Sequence, residues 1–269
     1  MGLKAVVNSP SPAASTDESG AVEVTNVGHV YETASGTTEA LTDISFRVET
    51  GRFVSIVGPS GCGKSSLLMM IAGLVQPTRG TIIAGGRPLV QPDPTRIGVV
   101  FQDASLYPWL TARSNVEFPL SLRHVDRKIR RERAEAALEL VGLAGFADKH
   151  PHELSGGMKQ RVALARGLVQ DPPILLMDEP FAALDEQTRL TMGDEVLRIW
   201  ERTRKTIIFV THGLSEAIHL SDEVLVLTSR PGKLVDRVAV DLPRPRSFEV
   251  MGGRRFEELR ERIWQRIRS

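Results

Sequence analysis

The stretch Arg52-Phe53-Val54-Ser55-Ile56-Val57-Gly58-Pro59-Ser60-Gly61-Cys62-Gly63-Lys64-Ser65-Ser66-Leu67-Leu68-Met69-Met70-Ile71-Ala72 decides the fold. It opens as a short β-branched run of the kind buried in parallel sheets and closes as a helix. Between the two, Gly58 to Ser65 fits G-x-x-x-x-G-K-[ST]. A strand, a glycine-rich turn and a helix in that order predict a cradle for a triphosphate. Glycines let backbone N–H groups turn toward phosphate oxygens, and the new helix aims its positive dipole end at the same anion. Lys64 would reach the β- and γ-phosphates, and the Ser65 hydroxyl would take a place on Mg²⁺. The candidate contacts are therefore Gly58, Pro59, Ser60, Gly61, Cys62, Gly63, Lys64, Ser65 and the adjoining Ser66. Cys62 lies at a helix N-terminus beside Lys64, so its thiolate is expected to be favoured and reactive.

A chain of 269 residues can bury one substantial core with a small inserted subdomain. Lys plus Arg number 34 against 33 Asp plus Glu, a formal charge of +1 that carries no nucleic-acid footprint. The single cysteine excludes an internal disulfide and suits a reducing cytosol. No secretion signal is visible. The longest apolar run, near Leu67 to Val75, has about ten residues against the roughly 18 needed to span a bilayer. If the protein works at a membrane, another chain must cross it.

Residues 1 to 20 are rich in Ser, Pro and Ala and read as a disordered tail. Strand-like segments follow at Val22 to Val27, Ile44 to Val48 and Phe53 to Val57. Their close spacing suggests an antiparallel β layer ahead of the phosphate loop. A strand at Arg96 to Phe101 ends in Gln102-Asp103, and helical periodicity with many charges runs from Thr111 to Ala147. Strand Ile174 to Met177, helix Glu186 to Thr203 and strand Thr206 to Val210 restore an α/β alternation around a helical insertion at about 103–170. Val224 to Leu227 and Val235 to Val240 read as closing strands. The extension 241–269 ends in a basic amphipathic helix, Arg254 to Ser269, with Phe256, Leu259, Ile263 and Ile267 on one stripe. Docking on its own domain is the first reading and lying on a membrane surface the alternative.

Ile174-Leu175-Leu176-Met177-Asp178-Glu179 places two carboxylates at the carboxyl end of an apolar strand, the edge where ligands sit in open α/β sheets. Burying adjacent acids is costly unless a cation or donors offset them, which a magnesium–nucleotide pair does. Asp178 is the expected Mg²⁺ partner and Glu179 the group that polarises the attacking water. At Leu154-Ser155-Gly156-Gly157, Ser155 is a natural N-cap and the helix start a second anion site.

These residues resemble one family closely, the ATP-binding-cassette (ABC) ATPases, over Val22 to about Val240. The loop Gly58 to Ser65, Gln102, Leu154 to Gly157, Asp178-Glu179, Ala183-Leu184-Asp185 and Thr211-His212 stand in that family's order and approximate spacing. The resemblance implies a P-loop NTPase (RecA-like) core with an antiparallel β layer and an inserted α-helical subdomain. It further implies hydrolysis of ATP with Mg²⁺, and two chains paired head to tail. Each ATP would then lie between one phosphate loop and the other chain's Ser155, Gly156 and Gly157. By the same likeness Tyr31 stacks on adenine, Gln102 touches Mg²⁺ and the attacking water, His212 contacts the γ-phosphate, and Asp185 helps the chains communicate. Met158, Ala182 and Gly213 depart from the commonest pattern without removing a group that handles phosphate, metal or water.

Within the family, the chain is most similar to importer ATPases of the nitrate, sulfonate, taurine and bicarbonate group. It shares Val100-Phe101-Gln102, Leu106-Tyr107-Pro108-Trp109 and Ser229-Arg230-Pro231-Gly232-Lys233 with them. The resemblance implies a peripheral subunit on the cytoplasmic side of the cell membrane that drives integral permease subunits, with a solute-binding protein in the complete system. Permease loops would rest near Gln102 to Trp109. A soluble ABC ATPase of assembly or regulation is the alternative.

Overall fold

The computed structural model describes residues 18–33 and 36–268. The chain begins with a hairpin, β1 (Val22–Thr33) and β2 (Gly36–Val48), antiparallel over nearly their full length. β3 (Phe53–Val57) then runs into the phosphate loop and helix α1 (Lys64–Ile71). β4 (Arg79–Ala84) and β5 (Arg87–Pro88) return to the first hairpin, giving a four-stranded sheet ordered β2-β1-β4-β5. β6 (Ile97–Val100) precedes three helices, α2 (Ala112–Leu122), α3 (Arg127–Leu140) and α4 (Gly156–Leu168). β7 (Ile174–Asp178), α5 (Glu186–Thr203), β8 (Thr206–Val210), α6 (Leu214–Leu220) and β9 (Glu223–Leu227) follow in α/β alternation. β10 (Leu234–Ala239), α7 (Phe248–Met251) and α8 (Arg254–Arg268) end the chain.

The second sheet has the order β10-β9-β3-β8-β7-β6 and is parallel from β9 to β6, with β10 antiparallel at one edge. Every residue of β3, β7 and β8 is buried, the pattern of strands covered on both faces. That agrees with the parallel-sheet character of the Arg52 to Val57 run and corrects only the grouping of this strand with the antiparallel layer. Phe53–Val57 belongs to the parallel sheet, between β9 and β8, and the antiparallel layer is completed by β4 and β5 after the loop. The continuous apolar run signals a strand covered on both faces, and only its closeness in sequence to the strand at Ile44 to Val48 suggests the antiparallel layer.

The helical insertion packs on α5 and on the face of the parallel sheet that carries Phe53, Leu175, Met177 and Phe209, through Val116, Leu120, Leu138 and Leu164. The opposite face, with Val54, Ile56 and Ile208, meets the antiparallel layer and α1. The expected tail at residues 1–20 lies outside the described residues up to position 17. At 18–20 the chain is already in place: Glu18 pairs with Arg47 at 3.2 Å and Gly20 is buried.

Helix α8 is docked. Phe256, Leu259 and Ile263 are at most 2% exposed against Val224, Val226, Val238 and Ala217. Burying each such side chain is worth about 1.5–3 kcal/mol, so the apolar stripe is spent inside the domain and not held out for a bilayer. Asp236 on β10 pins the helix by ion pairs to Arg262 and Arg266. Among the described residues no helix is long and apolar enough to cross a membrane.

Candidate nucleotide-binding site

The phosphate loop leaves β3 at the carboxyl edge of the parallel sheet, between β8 and β9. Gly61 and Gly63 adopt φ of 74° and 99°, left-handed values that glycine accepts without a Cβ penalty. At Gly63 a Cβ would also press on Leu41, 2.7 Å away. Lys64 is buried, and its ammonium donates to the carbonyl oxygens of Gly58 and Pro59, both at 3.0 Å. The side chain is thereby folded along the loop, with one of its three N–H donors still uncommitted by these bonds.

Of the three residues expected at the metal, Ser65, Gln102 and Asp178, the first and last are brought together. The Ser65 hydroxyl donates to Asp178 Oδ1 at 3.0 Å across 113 residues of sequence. Asp178 is 7% exposed, and burial pushes its carboxyl above the usual range, against the Ser65 hydrogen bond, with the Glu179 charge adding to the rise. A buried acid destabilised in this way is stabilised by a nearby cation. Two hard oxygen donors also match Mg²⁺, which typically takes one or two protein oxygens and completes its shell with phosphate and water. The residues present fit the ion.

Glu179 follows at φ 42°, a left-handed conformation that costs a non-glycine residue about 1–3 kcal/mol and recurs at functional sites. Its N–H donates to the Val210 carbonyl at 2.9 Å, which ties it to the end of β8. Its Oε2 meets His212 Nδ1 at 2.8 Å, so the expected water-polarising acid and the expected phosphate-contacting histidine form a pair. Below them is a group the sequence reading missed. The Thr211 hydroxyl donates to the half-buried Glu216, whose carboxyl is pushed up by burial, while Gly213 N–H donates to Thr211 Oγ1 at 2.9 Å. These bonds fix the backbone from which His212 projects.

One cleft of about 470 Å³ collects Tyr31, Ser60, Gly61, Gly63, Lys64, Ser65, Ser66 and Glu179. Tyr31 is 39% exposed, its hydroxyl donates to Ser66 Oγ at 2.9 Å, and His29 meets its ring edge-on at 4.4 Å. An exposed aromatic beside the cradle can stack on a base. Thr38, Glu39, Ala40 and Arg230 also line this cleft and were not singled out from sequence as part of it.

Gln102 and Gly156 lie elsewhere, lining a second cleft with Asp178, Lys159 and Leu184. Asp178 is thus the link between the phosphate side and the helical insertion. Ser155 caps α4, its Oγ accepting Met158 N–H at 3.3 Å. Ser155 and Gly156 are exposed and Gly157 is half-buried. None of the three lines the cleft of the phosphate loop. Asp185 caps α5 by accepting Thr188 N–H at 3.0 Å.

One expectation at the site fails. Cys62 is fully buried among Leu41, Leu67 and Leu227, and a Cβ on Gly58 would lie 2.8 Å from its Sγ. Burial pushes the thiol up and outweighs the Lys64 charge and the helix N-terminus. Cys62 contributes its backbone to the loop, and no favoured thiolate faces the cleft.

A parallel sheet with a glycine loop at its carboxyl edge, a lysine folded along that loop and a serine–aspartate pair beside it defines a P-loop nucleotide-binding protein. The ABC transporter family model matches residues 41–182. The nitrate import ATP-binding protein of Synechocystis sp. is 47% identical over 222 residues, covering 82% of this chain and 83% of its own. The aliphatic sulfonates import ATP-binding protein of Bacillus cereus is 41% identical over 246 residues, covering 91% and 95%. Among solved structures, the ATP-binding cassette MJ0796, a dimer in a post-hydrolysis state bound to ADP and Pi, is similar with a TM-score of 0.72. It is 34% identical, with 81% of this chain and 98% of that one covered. The chain belongs to the ABC transporter ATP-binding family, whose members are ATPases.

Proposed function

We propose that this chain is the energy-coupling subunit of a membrane importer for a small anion or an organosulfur or nitrogen compound, and that it hydrolyses ATP at sites shared between two copies. The observation that carries the shared site is the separation described above. Tyr31, the phosphate loop and Glu179 line one cleft, whereas Ser155, Gly156 and Gly157 do not reach it within the same chain. An exposed helix N-terminus that starts on two glycines is an anion site in want of an anion, and a second copy's nucleotide supplies one. The relatives named as nitrate and aliphatic sulfonates import ATP-binding proteins support the direction and the solute class of this reading.

In this reading Tyr31 stacks on adenine while the loop N–H groups and Lys64 hold the phosphates. Ser65, Asp178 and Gln102 would hold Mg²⁺, which when bound neutralises phosphate charge as the transition state develops. Glu179 orients the attacking water and takes its proton, held in place by His212 and by its own N–H on Val210. The line Asp178 to Gln102 to the helical insertion lets nucleotide state move that insertion.

The permease contact is assigned to the turn Tyr107-Pro108-Trp109. Asn115, fully buried, holds this turn by accepting Tyr107 N–H at 2.8 Å and donating to the carbonyls of Tyr107, Leu110 and Thr111. Trp109 is left 71% exposed on a rigid support, which is how a hot spot at an interface is built. Pulling down the intact chain in mild detergent should recover a six-span permease, and Trp109→Ala should reduce that recovery at least tenfold while leaving ATP hydrolysis by the isolated chain unchanged. Undiminished recovery and transport with Trp109→Ala would remove the contact, and failure of the wild-type chain to recover a permease would remove the importer reading.

A further inference from the structure

The turn Ser229 to Lys233, between β9 and β10, has no part in the chemistry above, yet it is built onto the phosphate loop. Thr228 N–H donates to the Lys233 carbonyl at 3.0 Å, and Lys233 N–H to Thr228 Oγ1 at 3.1 Å. Gly232 is stitched to β2 on both sides: its N–H donates to the Ala40 carbonyl at 2.9 Å, and its carbonyl accepts Thr42 N–H at 3.0 Å. A Cβ on Gly232 would overlap the Cys62 carbonyl oxygen, so backbone lies on backbone there. From this fixed turn Arg230 reaches over the crest of the loop. Its Nε donates to the Gly61 carbonyl at 3.3 Å, and a Cβ on Gly61 would lie 2.9 Å from Nη2.

Arg230 lines the same cleft as Tyr31, Lys64, Ser65 and Glu179. Among the described residues its guanidinium has no carboxylate partner, and the acids that share the cleft are engaged elsewhere. Glu39 pairs with Arg79 at 2.8 Å and Glu179 with His212 at 2.8 Å. A planar cation with four of five N–H donors uncommitted by that bond, held beside a phosphate cradle, suits a polyphosphate better than any group now near it.

We propose that Arg230 is a second polyphosphate-binding cation of the nucleotide site, set there by the Ser229 to Lys233 turn. The inference rests on the reading of the cleft as an ATP site. Two variants separate charge from bracing. Arg230→Gln keeps a donor for the Gly61 carbonyl and loses the charge; Arg230→Lys keeps the charge and loses the fork. Equilibrium binding of ATP, ADP and AMP to the full chain is measured alongside the unfolding midpoint. The expected result is a loss of about tenfold or more in ATP and ADP affinity for Arg230→Gln, with AMP affinity and the unfolding midpoint unchanged, and a loss of about threefold for Arg230→Lys. ATP affinity of Arg230→Gln equal to wild type overturns the inference while leaving the ATP site standing. So does a loss that tracks a lowered unfolding midpoint, which marks a structural brace. A wild-type chain that binds no ATP overturns the site reading and this inference with it.

Discussion

Glu179→Gln should bind ATP with close to wild-type affinity, lose turnover by about 10²–10⁴-fold, and accumulate as an ATP-bound dimer. The change is isosteric, so the left-handed turn at position 179 and its N–H bond to Val210 are preserved. The carboxylate proposed to take the proton of water is removed. The new amide still offers a polar atom to His212, so the geometry around the γ-phosphate persists without the chemistry. The chain has a mass of 29.6 kDa, and light scattering with Mg²⁺ and ATP should report twice that for the variant. Retained phosphate release would assign the base to another group. The side chain of the half-buried Glu216 is committed to Thr211 and is poorly placed to replace it.

Lys64→Ala should lower hydrolysis by about 10²–10³-fold or abolish nucleotide binding, because it removes the cation proposed to meet charge developing on the phosphates. A second effect acts on the loop itself. Two carbonyl oxygens, of Gly58 and Pro59, lose their donor, and a buried acceptor left unsatisfied costs about 1–3 kcal/mol. The unfolding midpoint therefore has to be measured beside the rate. Normal hydrolysis by Lys64→Ala would count against the whole assignment.

Much of the fold was legible because its strongest signals are local. The helix Glu186–Thr203 and the strand Thr206–Val210 begin and end where periodicity places them. What escaped lacks a local signal. β4 alternates weakly, with Ile82 and Ala84 its buried residues, and α6 has seven residues, too few for a period of 3.6 to show. The site divides in the same way. The loop and the Asp178-Glu179 acids were legible from their own residues and the strand ahead of them, whereas His212 was reached only through the family resemblance, and its bond to Glu179 joins residues 33 apart. Cys62 was misread because a helix N-terminus and a lysine argue for a thiolate, while the direction of its side chain depends on Leu41 and Leu227, distant in sequence. Arg230 stands 169 residues from the Gly61 carbonyl it meets, and its own surroundings in the chain give no hint of that contact.

If each ATP site needs two copies of the chain, two variants disabled in different halves of the site should restore each other when mixed. Lys64→Ala disables the phosphate loop. Gly156→Asp disables the signature, since the new carboxylate would face the other chain's phosphates. A Cβ at Gly156 meets nothing closer than Leu184 at 3.9 Å, and an acid in the first turn of α4 favours the helix, so this variant should fold. Each variant alone should release little phosphate. Mixed in equal amounts, they form heterodimers in which an intact loop faces an intact signature, and phosphate release should recover. A mixture as silent as its components, beside an active wild-type chain, would contradict the shared site.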